Sequence, residues 1–381
     1  MRVIVAGAGP AGATAALALA RSGARVWLVE KSAWPRDKTC GDAVSPLGVH
    51  LGTQLGLAIE GRVRLPRARI STPGGRSFTG GWPAATPWGT TIPRRTFDAS
   101  LVDAALATGG VEFLARTQVR SLAAEGAGVR ATLRADGADR TLDADAAIVA
   151  DGANGPLSAS LGAGPYRSQL VAVRGYADAP RALPSEYGLF YDRPLAPGYG
   201  WVFPIDGGRA NAGILVDRRT LERRGGDARA LLTRWLAQSR FARELLGDRP
   251  ALEDVRGGLI PSGRGRRAAG PILFAGDAAG VADPFTAEGI YQAMDTGRAA
   301  ARALATHGDP VAAGRAYERE TGTFDRNERA ARGVWRTFGA TIEVCAWRAH
   351  RRPAFADGLN TAVFFPKSSF EGFVWSLLRA W

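Results

Sequence analysis

Lysine, histidine and cysteine are all scarce in this chain. Only Lys31, Lys38 and Lys367 are lysines, although 49 basic residues outnumber 36 acidic ones for a net charge of +13. The excess is therefore arginine, scattered rather than gathered in one tract. No nucleic-acid motif accompanies it, so no nucleic acid is expected as a partner and a solvated arginine-rich surface accounts for the charge. Cys40 and Cys345 are the only cysteines, too few for a disulfide framework, and they fit a reducing compartment. There is no CxxC or CxxH spacing, and His50, His307 and His350 lie far apart. No metal site is expected. No apolar run reaches the 18 or so residues a membrane span needs.

What is present is ordinary for a globular protein: 46 % hydrophobic and 22 % charged residues in 381. That length suits two or three packed units. The N-terminus needs care, because Arg2 before an alanine-rich apolar run imitates a secretory leader. Cleavage there would remove Gly7, Gly9 and Gly12. If those glycines hold a cofactor, the expected location is cytoplasmic.

They are placed to do so. Arg2–Ala6 reads as a buried strand, the alanine-rich stretch after Gly12 as a helix, and Arg25 to Glu30 as a second strand with its acid at the end. Gly7 permits the tight turn, Gly9 lets backbone approach a pyrophosphate, and Gly12 lets the helix sit close to the strand. The helix start offers unpaired N–H groups to phosphate. Glu30 can accept from ribose hydroxyls. NAD and FAD both bind this way.

A second signal lies near the other end. Residues 272–275 (ILFA) read as a strand running into Gly276-Asp277, and a helical pattern extends from Glu288 to about Leu304. Asp277 suits the hydroxyls of a ribityl chain. The helix start at Glu288-Gly289-Ile290 can turn its positive end to the pyrimidine edge of a flavin. Between these, residues 171–216 break into short β-type runs. They read as an antiparallel sheet with Tyr191, Tyr199, Trp201 and Phe203 on one face, either core or an apolar wall over a flavin.

Together these residues resemble a known superfamily. Gly7–Gly12 with Glu30, then Asp151-Gly152, then Gly276-Asp277 are similar, in that chain order, to the three FAD fingerprints of the p-hydroxybenzoate hydroxylase superfamily. The resemblance implies FAD, with Asp151 near its pyrophosphate. Arg94-Arg95-Thr96-Phe97-Asp98 is similar to the superfamily's RxxFD element, whose arginine approaches the FAD. The implied fold is α/β: a Rossmann-like FAD domain (residues 1–70, 94–158 and 268–305), a mainly antiparallel substrate sheet (71–93 and 165–260) and a helical extension (310–381).

Within that superfamily three segments resemble the geranylgeranyl reductase family. They are Lys38-Thr39-Cys40-Gly41 (KxCG), residues 199–204 with Asn211-Ala212-Gly213 (YxWxFP…GxG), and residues 283–290 (DPFTGEGI). The second implies a substrate pocket of Tyr199, Trp201, Phe203, Pro204 and Gly213. Two departures matter: Ala287 and Leu215 stand where the family carries glycine, which would narrow or reshape the cavity.

The implied reaction is hydride delivery from reduced FAD to a C=C of a hydrophobic substrate, isoprenoid or polycyclic. Cys40 or Tyr199 would protonate the other carbon; a thiol of pKa about 8.5 is protonated near neutrality, as a donor should be. The alternative on the same scaffold is a flavin monooxygenase. A halogenase using Lys38 and a non-catalytic flavin or lipid carrier rank below it. No second GxGxxG occurs, so NAD(P)H or another electron donor would reach the flavin transiently. Ser368 and Glu371 form a capping box before an apolar stripe ending at Trp381. That helix would dock on protein or make peripheral membrane contact through 368–381.

Overall fold

The computed structural model describes residues 1–364 except 60–62, 83–87, 165, 167, 197, 207, 264 and 284–285. The helix expected at 368–381 lies outside them.

The first layer is a six-stranded sheet. Arg2–Ala6 lies at its centre, flanked by Arg25–Val29 and Ala146–Val149, with Val111–Leu114 and Ile272–Phe274 beyond and Ala268–Ala269 at the edge. The pairings are parallel except at that edge. The central strands are short and β-branched, and Val3, Ile4 and Val5 are wholly buried, as a sheet covered on both faces requires. On one face the helices Pro10–Arg21, Arg94–Leu106 and Ile290–Thr306 pack. The first and last of these cross so closely that a Cβ on Gly297 would stand 2.1 Å from the Ala11 carbonyl oxygen. The three-stranded meander of residues 117–144 covers the other face.

The second layer is a seven-stranded sheet ordered Glu253–Ser262, Ser168–Asp178, Arg209–Asp217, Gly198–Ile205, Tyr187–Phe190, Arg67–Ser71 and Ser77–Gly81. Arg67–Ser71 belongs to it, so this sheet begins a few residues before the boundary at 70 read from sequence.

Register decides what each face carries. Ala172, Leu215 and Tyr199 are cross-strand partners in one row. Arg174, Gly213, Trp201 and Leu189 form the next row, and Tyr176, Asn211 and Phe203 the one after. Alternation places all of these on one face. The other face, with Val173, Val202, Ile214 and Phe190, packs on Trp235 and Phe241 of the helices Ala228–Gln238 and Arg240–Leu246.

The C-terminal helices Pro310–Arg351 and Pro353–Phe364 close one end of the aromatic face. Asn360 donates from Nδ2 to the Ala68 and Gly80 carbonyls at 2.9 and 2.5 Å. Phe364 stacks on Tyr187 with ring centroids 5.4 Å apart. No helix among the described residues is long and apolar enough to cross a membrane.

Candidate functional site

One cavity of about 530 Å³ runs between the two sheets, and the fingerprints converge on it. Gly7, Gly9, Glu30, Arg94, Asp151, Gly152, Gly276, Asp277, Glu288, Gly289 and Ile290 all line it. Gly12 does not. It sits behind the turn, where a Cβ would lie 1.8 Å from the Gly7 carbonyl oxygen, so it permits the helix–strand approach. Gly7 itself holds φ +108°, and a Cβ there would meet the Ala150 carbonyl oxygen at 2.3 Å.

Two helix starts open onto this cavity. Gly9 caps Pro10–Arg21 and Gly289 caps Ile290–Thr306, and neither has a side-chain cap hydrogen bond. Elsewhere Asp227, Ser239 and Asp309 cap their helices with side chains. Uncapped first-turn N–H groups facing a cavity are the donors an anionic ligand uses. Glu288 precedes its helix rather than starting it.

The acids are held in place. Glu30, at the end of its strand, accepts from Ala8 N–H (3.1 Å), Ser32 N–H (3.0 Å) and Arg36 (3.4 Å). Asp151 Oδ2 accepts from the N–H groups of Leu157 and Ser158, each at 3.0 Å, while its Oδ1 is buried without a partner among the described residues. Burial raises that carboxyl above its ordinary range. An unpaired buried oxygen and an open glycine turn are what a dinucleotide with hydroxyls and a pyrophosphate would complete. The residues therefore fit FAD.

Arg94 is 5 % exposed and forks onto Asp98 with two 2.8 Å bonds; Asp98 also accepts from Arg36. This chain joins Glu30 to Arg94. Beyond it lies Cys40, close enough to the Arg94 guanidinium to feel its charge. Burial pushes the Cys40 thiol up, and Arg94 opposes that rise. A thiol raised in this way holds its proton.

Tyr199, Trp201, Phe203, Tyr187, Leu189, Leu215 and Phe364 form the apolar wall of the cavity. Gly41 lies directly against it, with an ideal Cβ 3.3 Å from Phe203 Cε2 and 3.4 Å from Trp201 Nε1. Two expectations for this wall need correction. Pro204 does not line the cavity. It alternates to the opposite face from Phe203, and its carbonyl accepts from Thr91 Oγ1 at 2.5 Å. Gly213 does not line it either: it lies under the Trp201 indole, where a Cβ would come within 2.3 Å of Cζ2.

Tyr199 also differs from expectation as a donor. Its hydroxyl donates to the Thr286 carbonyl, and burial raises its pKa well above the ordinary value. Lys38 is bound to Asp277 at 3.1 Å.

Sequence reasoning missed a proton-bearing group at Glu288. Its Oε1 is buried without a hydrogen-bond partner among the described residues, and desolvation pushes the carboxyl up to about 7. Hydrogen bonding from Ser45 opposes the rise and Asp283 adds to it. A glutamate between Ala287 and Gly289 gave no local sign of such burial. Asp42 was missed as well, and Asn211, quoted only within the YxWxFP…GxG segment, was not foreseen as an anchor of the Cys40 loop. An asparagine inside the apolar run of residues 210–216 was the available signal.

Comparison with known proteins agrees with this geometry. Residues 1–180 match the family described as FAD binding domain. The chain is 34 % identical to the menaquinone reductase of Mycolicibacterium smegmatis over 80 % of this chain and 76 % of that one. It is 32 % identical to digeranylgeranylglycerophospholipid reductase 2 of Methanopyrus kandleri, again over 80 % and 76 %. The fold matches a geranylgeranyl bacteriochlorophyll reductase-like protein from Thermoplasma acidophilum with a TM-score of 0.78, at 21 % identity, covering 100 % of this chain and 96 % of that one. With the three fingerprints gathered in one cleft and these relatives aligned along most of its length, the chain is an FAD-dependent oxidoreductase and belongs to the geranylgeranyl reductase family.

Proposed function

We propose that this enzyme reduces a C=C bond of a hydrophobic isoprenoid substrate, such as the tail of a quinone or a prenyl lipid. The observation that carries this reading is the meeting of two surfaces in one cavity. The dinucleotide cleft continues into a wall of Tyr187, Leu189, Tyr199, Trp201, Phe203 and Leu215, and Cys40 and Glu288 line the same space. The names of the relatives support it.

Bound FAD, when reduced, supplies the hydride. The chain's own residues do the rest. The aromatic wall binds the apolar substrate and keeps water from the reacting carbons. Cys40 gives its thiol proton to one alkene carbon while the other receives hydride, so the π bond is replaced by two C–H bonds. Arg94 stabilises the thiolate left behind. Tyr199, tied to Thr286, shapes the turn that carries Glu288. The reductant is NAD(P)H or another transient donor.

Exposed apolar side chains on the helix Pro310–Arg351 would suit contact with a membrane that holds a lipid-soluble substrate. Val344 and Trp347 are each 48 % exposed, and Arg351 lies 3.9 Å over the Trp347 ring.

Anaerobic reduction of the flavin followed by addition of prenylated quinones and prenyl lipids tests the reaction. Return of the oxidised absorbance without oxygen, with a product two hydrogens heavier, supports it. Reoxidation that needs oxygen and adds one oxygen atom replaces it with the monooxygenase. Unchanged turnover in Cys40→Ala removes the thiol from the reaction.

A further inference from the structure

The loop from Asp37 to Asp42 carries Lys38 and Cys40 and has no regular structure, yet both its ends are fixed to the substrate sheet. At one end Asp37 Oδ2 accepts from Arg174 at 3.3 Å and Arg256 at 3.2 Å; Arg174 also holds Asp254 at 3.0 Å. At the other end Asp42 Oδ2 accepts from Tyr176 Oη at 2.6 Å and Asn211 Nδ2 at 2.9 Å, while Oδ1 accepts from Arg94 N–H at 3.3 Å. Asp42 holds φ +59°, the left-handed region that aspartate tolerates better than most residues, and its hydrogen bonds fix it there.

Asn211 stands at the centre of this second anchor and is wholly buried. Its Oδ1 accepts from Trp201 Nε1 at 3.0 Å. An indole N–H can only donate, so the amide has one orientation. Nδ2 must then face the loop, where it donates to the Cys40 carbonyl at 2.9 Å as well as to Asp42. One side chain thus joins the wall indole, the thiol-bearing residue and Asp42.

We infer that Asn211 is the positioning residue for the Cys40 thiol, holding it in register with the Trp201 wall through the Cys40 carbonyl and Asp42. This rests on the reading of Cys40 as proton donor. The placement of the thiol can nevertheless be measured apart from turnover.

Asn211→Asp tests it in the FAD-loaded enzyme. The new carboxyl would face Asp42 and the Cys40 carbonyl, with Tyr176 and Arg174 acting on Asp42 beside it. At low pH one carboxyl of the pair keeps a proton and can still donate; as pH rises both ionise and repel. Two readouts are followed against pH: turnover, and the iodoacetamide alkylation rate of the Cys40 peptide by mass spectrometry. The expected result is about a tenfold loss of turnover at alkaline pH that reverts toward wild type in acid; because the added carboxylate also holds the thiol protonated, exposure of the thiol is read from alkylation of Asn211→Ser. A turnover profile that matches wild type would overturn the inference. Asn211→Ser removes the bridge without adding charge, and it also serves if Asn211→Asp does not retain FAD. It should alkylate about tenfold faster at all pH values, and an unchanged rate would overturn the inference. Cys40→Ala separates the two ideas: full turnover there ends the proton-donor reading, and alkylation alone then decides on Asn211.

Discussion

Lys38 Nζ stands 3.1 Å from Asp277 Oδ2 across 239 residues of sequence, joining the loop of Cys40 to the turn of the third FAD fingerprint. The side chains are 40 % and 22 % exposed, so the pair adds no more than about 1 kcal/mol to stability. Lys38→Met should therefore melt close to wild type. Asp277→Ala should raise the FAD dissociation constant about tenfold or more, since it removes charged acceptors from the cofactor cleft. Flavin fluorescence titration measures this, and an unaltered constant would dismiss the ribityl role.

Glu288 should set the alkaline limb of activity. Its folded-state pKa of about 7 lies above its ordinary value of 4.5, so the folded chain binds that proton more tightly than the unfolded chain. The associated stability is fully present below the unfolded value and is lost as pH rises through about 7. Ionisation also places a charge in an apolar cavity, so kcat/KM should fall over the same range. Glu288→Gln should flatten both the melting and the rate profiles. A wild-type slope in that variant would show that another group titrates.

Ala287 holds φ +55°, where a Cβ is disfavoured, and its N–H is committed to the Asp283 carbonyl at 2.9 Å. The geranylgeranyl reductase pattern carries glycine at this point. Ala287→Gly should stabilise the protein by about 0.5–1 kcal/mol, the relief of strain exceeding the entropy glycine adds to the unfolded chain. A lower melting temperature would mean the αL turn costs alanine little here.

Gly213 supports Trp201 by having no side chain. Gly213→Ala would push a methyl into the indole and into the Val173 carbonyl oxygen, 2.5 Å from the ideal Cβ. A destabilisation of about 1–3 kcal/mol follows, with turnover falling more than FAD content because the cofactor cleft is untouched. Equal losses of both would show that the two sheets respond as one.

The exposed Trp347, with Arg351 over its ring, predicts adsorption to anionic vesicles, the arginine's share weakening as salt rises. Trp347→Ala should weaken sedimentation with such vesicles without altering the melting temperature. Unchanged binding would move any lipid contact elsewhere.

The phosphate cradle was legible because its parts are local: glycines, helix and ribose acid occupy residues 7–30. The later fingerprints were legible because each pairs a strand end with glycine and aspartate. Long-range polar contacts were not. Arg36 reaches Asp98 and Asn211 reaches Cys40 over 62 and 171 residues, and no local pattern announces such pairs. Pro204 was misplaced although the period-two rule could have placed it: Tyr199, Trp201 and Phe203 share a face, so their neighbour faces away. The pKa of Glu288 depends on burial that only the assembled cavity creates.

The strand Ile272–Phe274 and the helix after Gly289 complete a cleft whose first half is encoded at the N-terminus. A growing polypeptide thus emerges from the ribosome with half a binding site and must wait for its last third before flavin can be gripped. Cofactor supply then acts on maturation as much as on chemistry, since binding draws the late segments into place by mass action.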